Sequence, residues 1–207
     1  MNSYEKKLTF DKTPVKSFGL SGYDEFEMIN SVKIIYYKND ENFIIKLLPK
    51  DENHEIILFK KEEKFASFFE MIQEIDNLTD LANIQKQNVK LYWKFQFREE
   101  DKLIIPKINF NIKTNFPKLE GNIYNGFDSQ YTIESIIQRT AFILDESGAE
   151  IESEVEVAVE AAEEIIEEKP KPKQLIFDKP FLILLKRKDS KNPYFGLWTV
   201  NSELMIK

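Results

Sequence analysis

Side chains able to do chemistry are few and poorly grouped in this 207-residue chain. His54 is the single histidine, and there is no cysteine. A Ser-His-Asp triad, a His-based zinc site, a thiolate nucleophile and a disulfide framework therefore all lack their parts. His54 sits in the polar string Pro49-Lys50-Asp51-Glu52-Asn53-His54-Glu55, which predicts an exposed loop residue. Carboxylates come in adjacent pairs, Glu62-Glu63, Glu99-Glu100, Glu163-Glu164 and Glu167-Glu168. Acid–base catalysis needs two carboxyls held in different environments, whereas neighbouring glutamates in polar stretches predict a solvated surface. The alternating glutamates of 150–160 have neither the turn glycine nor the mixed oxygen ligands of a calcium loop, so only weak cation attraction is expected there. No glycine-rich phosphate cradle occurs, and there are only six glycines. The expectation is a protein that is not an enzyme and takes no metal and no small-molecule cofactor.

What must position any functional residue is a well-buried frame. Hydrophobic residues make up 42% of the chain and aromatics 13%, with 17 Phe, which is ample material for a core. The formal net charge is -7 and the lysines are scattered, so no nucleic-acid partner is expected. The start, MNSYEKKLTFDKT, carries no apolar leader, and no stretch approaches the ~20 apolar residues of a membrane span. The expectation is no membrane partner and a cytoplasmic location by default.

Periodicity predicts a strand over Glu25 to Tyr37, then strands over Asn42 to Leu48 and Glu55 to Phe59. Phe65, Phe68, Phe69, Ile72 and Ile75 fall at helical spacing, which predicts a helix over Glu62 to Ile75 with that stripe in the core. Alternation returns over Asn88 to Phe97, and Lys102 to Ile112 follows as an adjacent strand. An irregular connection is expected over Asn115 to Asp128, and a long strand over Tyr131 to Leu144. After the turn Asp145-Glu146-Ser147-Gly148, residues 149–160 alternate small or apolar residues with Glu. Strand and helix readings both remain open for 149–159, the valines at alternate positions favouring the strand. Residues 160–173 read as a flexible acidic and Pro-Lys segment, because each proline restricts the residue before it. Gln174 to Leu185 and Tyr194 to Val200 complete the strands. The fold class expected is α+β and β-rich, with mixed or antiparallel sheets and one or two helices, in one domain over 1–207.

Three strings carry a family resemblance. Phe177-Asp178-Lys179-Pro180-Phe181-Leu182-Ile183-Leu184-Leu185, followed by Tyr194-Phe195-Gly196, resembles the C-terminal signature of serpins. Thr140 to Glu150 is similar to their hinge, a strand ending in an acidic-Gly-small-Glu turn before the reactive loop. Ile105-Pro106-Lys107-Ile108-Asn109-Phe110 resembles the family's Leu-Pro-Lys-Phe strand. The resemblance extends over nearly the whole chain but only to the later part of a serpin, which implies a serpin-like fold truncated at the N-terminus.

The resemblance also implies roles. Glu146, Gly148, Ala149 and Glu150 would form the loop hinge, and Ala161, Ala162 and Glu163 the bait region, with an elastase-like target suggested by Ala162. Pro106, Lys107, Phe177, Pro180, Phe181 and Gly196 would be structural signature residues. An inhibitory serpin traps a protease by inserting its cleaved loop into the large sheet, using stored conformational energy. Here Ile151-Glu152-Ser153-Glu154 stands where inhibitors carry small residues, and 31 residues separate Gly148 from Pro180, more than the usual loop. The expected function is therefore a non-inhibitory serpin-like protein. Two alternatives stand beside it: an active serine or cysteine protease inhibitor with its bait near Ala162, and an unrelated β-rich interaction protein. Expected partners are a protease, or a strand from a second copy or a separate N-terminal half. In another arrangement, 149–159 already lies in the sheet beside Tyr131–Leu144.

Overall fold

A computed structural model describes residues 2–21, 24, 26–49, 51, 53–61, 65–125, 129–146 and 170–207. Strands β1 (Asn2–Phe10) and β2 (Thr13–Ser21) form a hairpin closed by Asp11 and Lys12, both with positive φ (41° and 70°). That is the backbone a two-residue turn needs to match strand twist. Helix α1 (Phe26–Asn30) leads into β3 (Val32–Asn39), β4 (Asn42–Leu47) and β5 (His54–Lys60). Helix α2 (Phe68–Gln85) is followed by a 3-10 turn over Val89–Lys94, then β6 (Lys102–Pro106) and β7 (Ile108–Asn115). Short strands β8 (Ile123–Asn125) and β9 (Gln130–Thr132) precede β10 (Ile137–Leu144). Strands β11 (Gln174–Ile176), β12 (Phe181–Arg187) and β13 (Pro193–Thr199) end the chain.

The strands assemble as β1-β2-β6-β11, β13-β12-β5-β4-β3, and the pairs β10-β7 and β8-β9. Among the described strands only β11 runs parallel to its neighbour, β6. The alternation of side chains along a strand assigns the five-stranded sheet two apolar faces. Phe43, Ile45, Phe181 and Ile183 point into a core shared with Phe10, Phe18, Leu103 and Ile105 of the four-stranded sheet. Ile44, Leu182 and Leu184 point the other way, against Met71, Ile75 and Ala82 of α2. The unbroken apolar run at 181–185 is thus a strand buried on both faces, each large side chain contributing about 1.5–3 kcal/mol.

Three expectations give way to a local hydrogen bond that overrides periodicity, and His54 departs through a distant one. The strand expected over Glu25 to Tyr37 is split by α1, because Ser31 turns back on Met28 through its hydroxyl (2.6 Å). The helix expected from Glu62 begins at Phe68, where Ser67 Oγ accepts from Glu70 N–H (3.1 Å) and Glu70 Oε2 accepts from Ala66 N–H (2.6 Å), a capping arrangement. Phe65 therefore precedes the helix and packs on Phe59 and Trp198, while Phe68 and Phe69 stay 43% and 67% exposed. The strand expected over Asn88 to Phe97 is the 3-10 turn, since Asn88 Oδ1 accepts from Lys90 N–H (3.0 Å) and leaves Val89 exposed. His54 is the first residue of β5, half-buried, with Nδ1 2.9 Å from Tyr194 Oη, rather than a loop residue. No helix among the described residues is long and apolar enough to cross a membrane.

Candidate functional site

The described residues on either side of 147–169 are held by ion pairs, at Glu146 and at Lys173, and the anchors are built from different parts of the sequence. At its entrance, β10 lies antiparallel to β7 from Ile137↔Asn115 to Leu144↔Ile108. The chain switches sheets at Pro106-Lys107: Pro106 closes β6 against Ser17, and Ile108 opens β7. Lys107 is pinned there by backbone bonds, its N–H donating to Lys16 O (2.9 Å) and its carbonyl accepting from Ile206 N–H (2.9 Å). Its ammonium meets Glu146 Oε1 at 2.6 Å, two residues beyond β10.

The exit is more elaborate. Lys173 and Asp101 are fully buried, with Nζ 2.6 Å from Oδ2. Asp101 Oδ1 also accepts from Lys173 N–H (2.7 Å), and Oδ2 from Arg98 N–H (2.8 Å). Lys173 Nζ donates to Trp93 O (3.0 Å) and lies near the Trp93 and Tyr37 rings. Burial alone would raise the Asp101 pKa, but the bonds from Lys173 and Arg98 outweigh it and hold the carboxyl below its usual range. Burial draws the Lys173 ammonium below its ordinary value, against the opposing pull of Asp101. Arg98 donates to the carbonyls of Pro170 (3.0 Å) and Lys171 (2.8 Å). Residues 170–173, expected to be solvated, are thus held to the body, because Asp101 and Arg98 supply partners that a local reading of Pro-Lys-Pro-Lys does not contain.

A second buried lysine secures the next residues. Lys60, 2% exposed, donates to Ile176 O (2.8 Å) and Asp178 Oδ1 (2.7 Å) and lies 3.0 Å from Glu41 Oε2. Gln174 N–H donates to Asp40 Oδ1 (2.9 Å), which also accepts from Tyr37 Oη–H (2.7 Å). Burial, then that bond to Asp40, drives the Tyr37 phenol well above its usual pKa. Its hydroxyl stays a neutral donor.

Of the residues singled out in sequence, Glu146 and Lys107 are brought together. Phe177 and Phe181 are fully buried with ring centroids 4.9 Å apart, Phe177 also meeting Phe43 at 5.1 Å. Pro180 ends the turn before β12. Gly196 pairs with Leu184, and the Phe68 ring lies over it where any side chain would clash with that ring and with Leu184. Gly148, Ala149, Glu150, Ala161, Ala162 and Glu163 lie outside the described residues, as does the 149–159 segment. Asp101, Lys173, Lys60, Arg98 and Asp40 were not legible as anchors. Arg98-x-x-Asp101 reads only as a turn signal, and nothing local pairs it with a lysine 72 residues later. Among the described residues no three His, Asp or Glu side chains gather in a way that could hold a metal.

The family described as Serpin (serine protease inhibitor) matches residues 4–196. None of the curated proteins compared matches the sequence. Among solved structures, the chain is similar to the Manduca sexta serine protease inhibitor (serpin)-12, with 12% identity and a TM-score of 0.52, covering 99% of this chain and 52% of that one. It is similar to maspin with 12% identity and a TM-score of 0.50, covering 94% and 50%. Serpin48 of the insect Tenebrio molitor matches at 16% identity with a TM-score of 0.47, covering 95% and 50%. The chain spans about half the length of these solved serpins.

Proposed function

The chain belongs to the serpin family, and from that premise we propose that this 207-residue polypeptide is a serpin-like protein that does not trap proteases by itself. The observation that carries this reading is the two-stranded β7-β10 sheet, in which β10 pairs, among the described residues, with β7 alone. Insertion of a cleaved loop as a central strand needs a strand on each side of the slot. Here β10, paired with β7, supplies one wall of that slot. Hinge composition supports the same conclusion, since Ile151-Glu152-Ser153-Glu154 brings two charges to a place where inhibitors carry small residues. Glu146, Gly148, Ala149 and Glu150 are read as the hinge and 161–163 as the bait. A protease offered this loop cleaves it as a substrate and turns over.

Incubation with a panel of serine and cysteine proteases, followed by denaturing gel electrophoresis, tests the reading. The expected result is cleavage between Glu146 and Pro170 with no covalent adduct; an SDS-stable complex with any protease refutes it.

The β7-β10 sheet also exposes Ile112, Ile137 and Ile143 at 43%, 52% and 62%. A sheet edge that no described strand covers, beside exposed aliphatic side chains, is a template for further pairing. The proposed partner is a strand, from a second copy or a separately encoded segment. Light scattering on the purified chain is expected to show a dimer or larger species, and a monodisperse monomer across the micromolar range rules out the second copy.

A further inference from the structure

A groove of about 830 Å³ runs along β3 between α1, the end of α2 and the segment that follows the 3-10 turn. Its size falls within the range of ligand clefts. One wall is aromatic, formed by Tyr92, Phe95 and Phe97, and Ile29, Ile34 and Ile35 add aliphatic surface. Two uncompensated cations reach it from different elements, Lys33 on β3 and Lys86 at the C-terminal cap of α2, and Arg98 lines it with a guanidinium that also meets Asp101 Oδ1 at 3.3 Å. Glu99 is the one acidic side chain in the lining. Lys33 and Lys86 have no carboxylate partner among the described residues, Lys86 lying over the Phe95 ring 5.2 Å from its centroid. Arg98 Nε is buried with no acceptor among the described residues. An apolar cleft with surplus positive charge is out of character for a chain of net charge -7.

We propose that this groove docks an acidic, amphipathic peptide segment of a partner protein, its carboxylates on Lys33 and Lys86 and its apolar side chains against Tyr92, Phe95 and Phe97. The distribution of charge selects a peptide over a small anion. A ligand with one carboxylate meets one of the two lysines and leaves the other without a counter-charge, whereas carboxylates spaced along a chain meet cations set on separate elements with rings between them. Recognition runs through side chains more than through strand addition. β3 is the edge of its sheet, but its pairing with β4 shifts register between Ile34 and Tyr36, and such a bulge interrupts the edge that an added strand would follow.

The test is fluorescence anisotropy of a labelled synthetic peptide in which glutamates alternate with isoleucine and phenylalanine, titrated with the full chain. Lys33 and Lys86 are exposed, so reversing their charge leaves the core intact. The expected results are saturable binding that weakens with salt and a loss of about tenfold or more in the Lys33→Glu/Lys86→Glu double variant. The double variant is expected to gain affinity for the matching peptide with lysines in place of glutamates. Absence of saturable binding overturns the proposal, including the case in which the chain's own glutamates already fill the groove. So does equal binding of a peptide whose apolar residues are replaced by serine, or a loss in the double variant without recovery by the lysine peptide.

Discussion

Replacing Asp101 with alanine is expected to cost about 3–5 kcal/mol of folding stability, because it leaves the Lys173 ammonium buried without its counter-ion. The pair is fully buried and 2.6 Å apart, so solvent does not screen the loss. The same carboxylate accepts backbone N–H groups from Arg98 and Lys173, and these are orphaned with it. Lys173→Met should therefore be milder, at about 1–3 kcal/mol, since Asp101 keeps both backbone donors and Arg98. A double Asp101→Leu/Lys173→Met variant removes both charges but not the two orphaned donors, so it should recover only part of the loss. Urea unfolding of the three variants checks the order; a Lys173→Met cost equal to or above that of Asp101→Ala contradicts it. The pH dependence has a definite sign. The Asp101 pKa is lower in the folded chain than in the unfolded one, so its contribution is fully present above the ordinary carboxylate value. It is lost as pH falls through the lowered folded value. Asp101→Asn should flatten that acid limb of the stability profile.

Phe181→Ala should cost a comparable amount, about 3–5 kcal/mol, by a different mechanism. Phe181 opens β12, which pairs with β5 on one side and β13 on the other. Its ring sits between Phe10 at 6.2 Å and Phe177 at 4.9 Å, where the two large sheets meet. Its carbonyl accepts from the buried Thr199 hydroxyl (2.7 Å), so the strand end is held while the side chain is lost and the surroundings cannot collapse into the cavity. The midpoint of urea unfolding should fall with an unchanged slope. A shift below about 1 kcal/mol would show that the sheet interface repacks freely.

Apolar runs that serve one sheet face, or both, were legible in the sequence. The strand expected over Gln174 to Leu185 divides into β11 and β12 in different sheets, and the one expected over Tyr131 to Leu144 into β9 and β10. The apolar runs and the end of β10 before the Asp145 turn were thus legible, while the breaks were not. Also missed were segments whose backbone is captured by a short polar side chain. Asn88, Ser31 and Ser67 each redirect the chain with a single hydrogen bond, and hydrophobic periodicity carries no trace of it. At the candidate site, Lys107 and Glu146 drew notice from separate strings, and the fold supplies their 2.6 Å contact. The exit anchor was invisible for a plainer reason. Lys173 and Asp101 both stand among other charged residues, where a solvated surface is the default expectation, and only the tertiary fold reveals that two members of those runs are buried against each other.

Cleavage within residues 147–169 is expected to release no stored conformational energy in this polypeptide. Calorimetry before and after limited proteolysis between Glu146 and Pro170 tests it most directly. The nicked chain is expected to keep an unchanged Tm, its flanking residues still anchored through Lys107–Glu146 and Asp101–Lys173. A large rise in Tm on nicking would mean that the loop enters the sheet, and would contradict it.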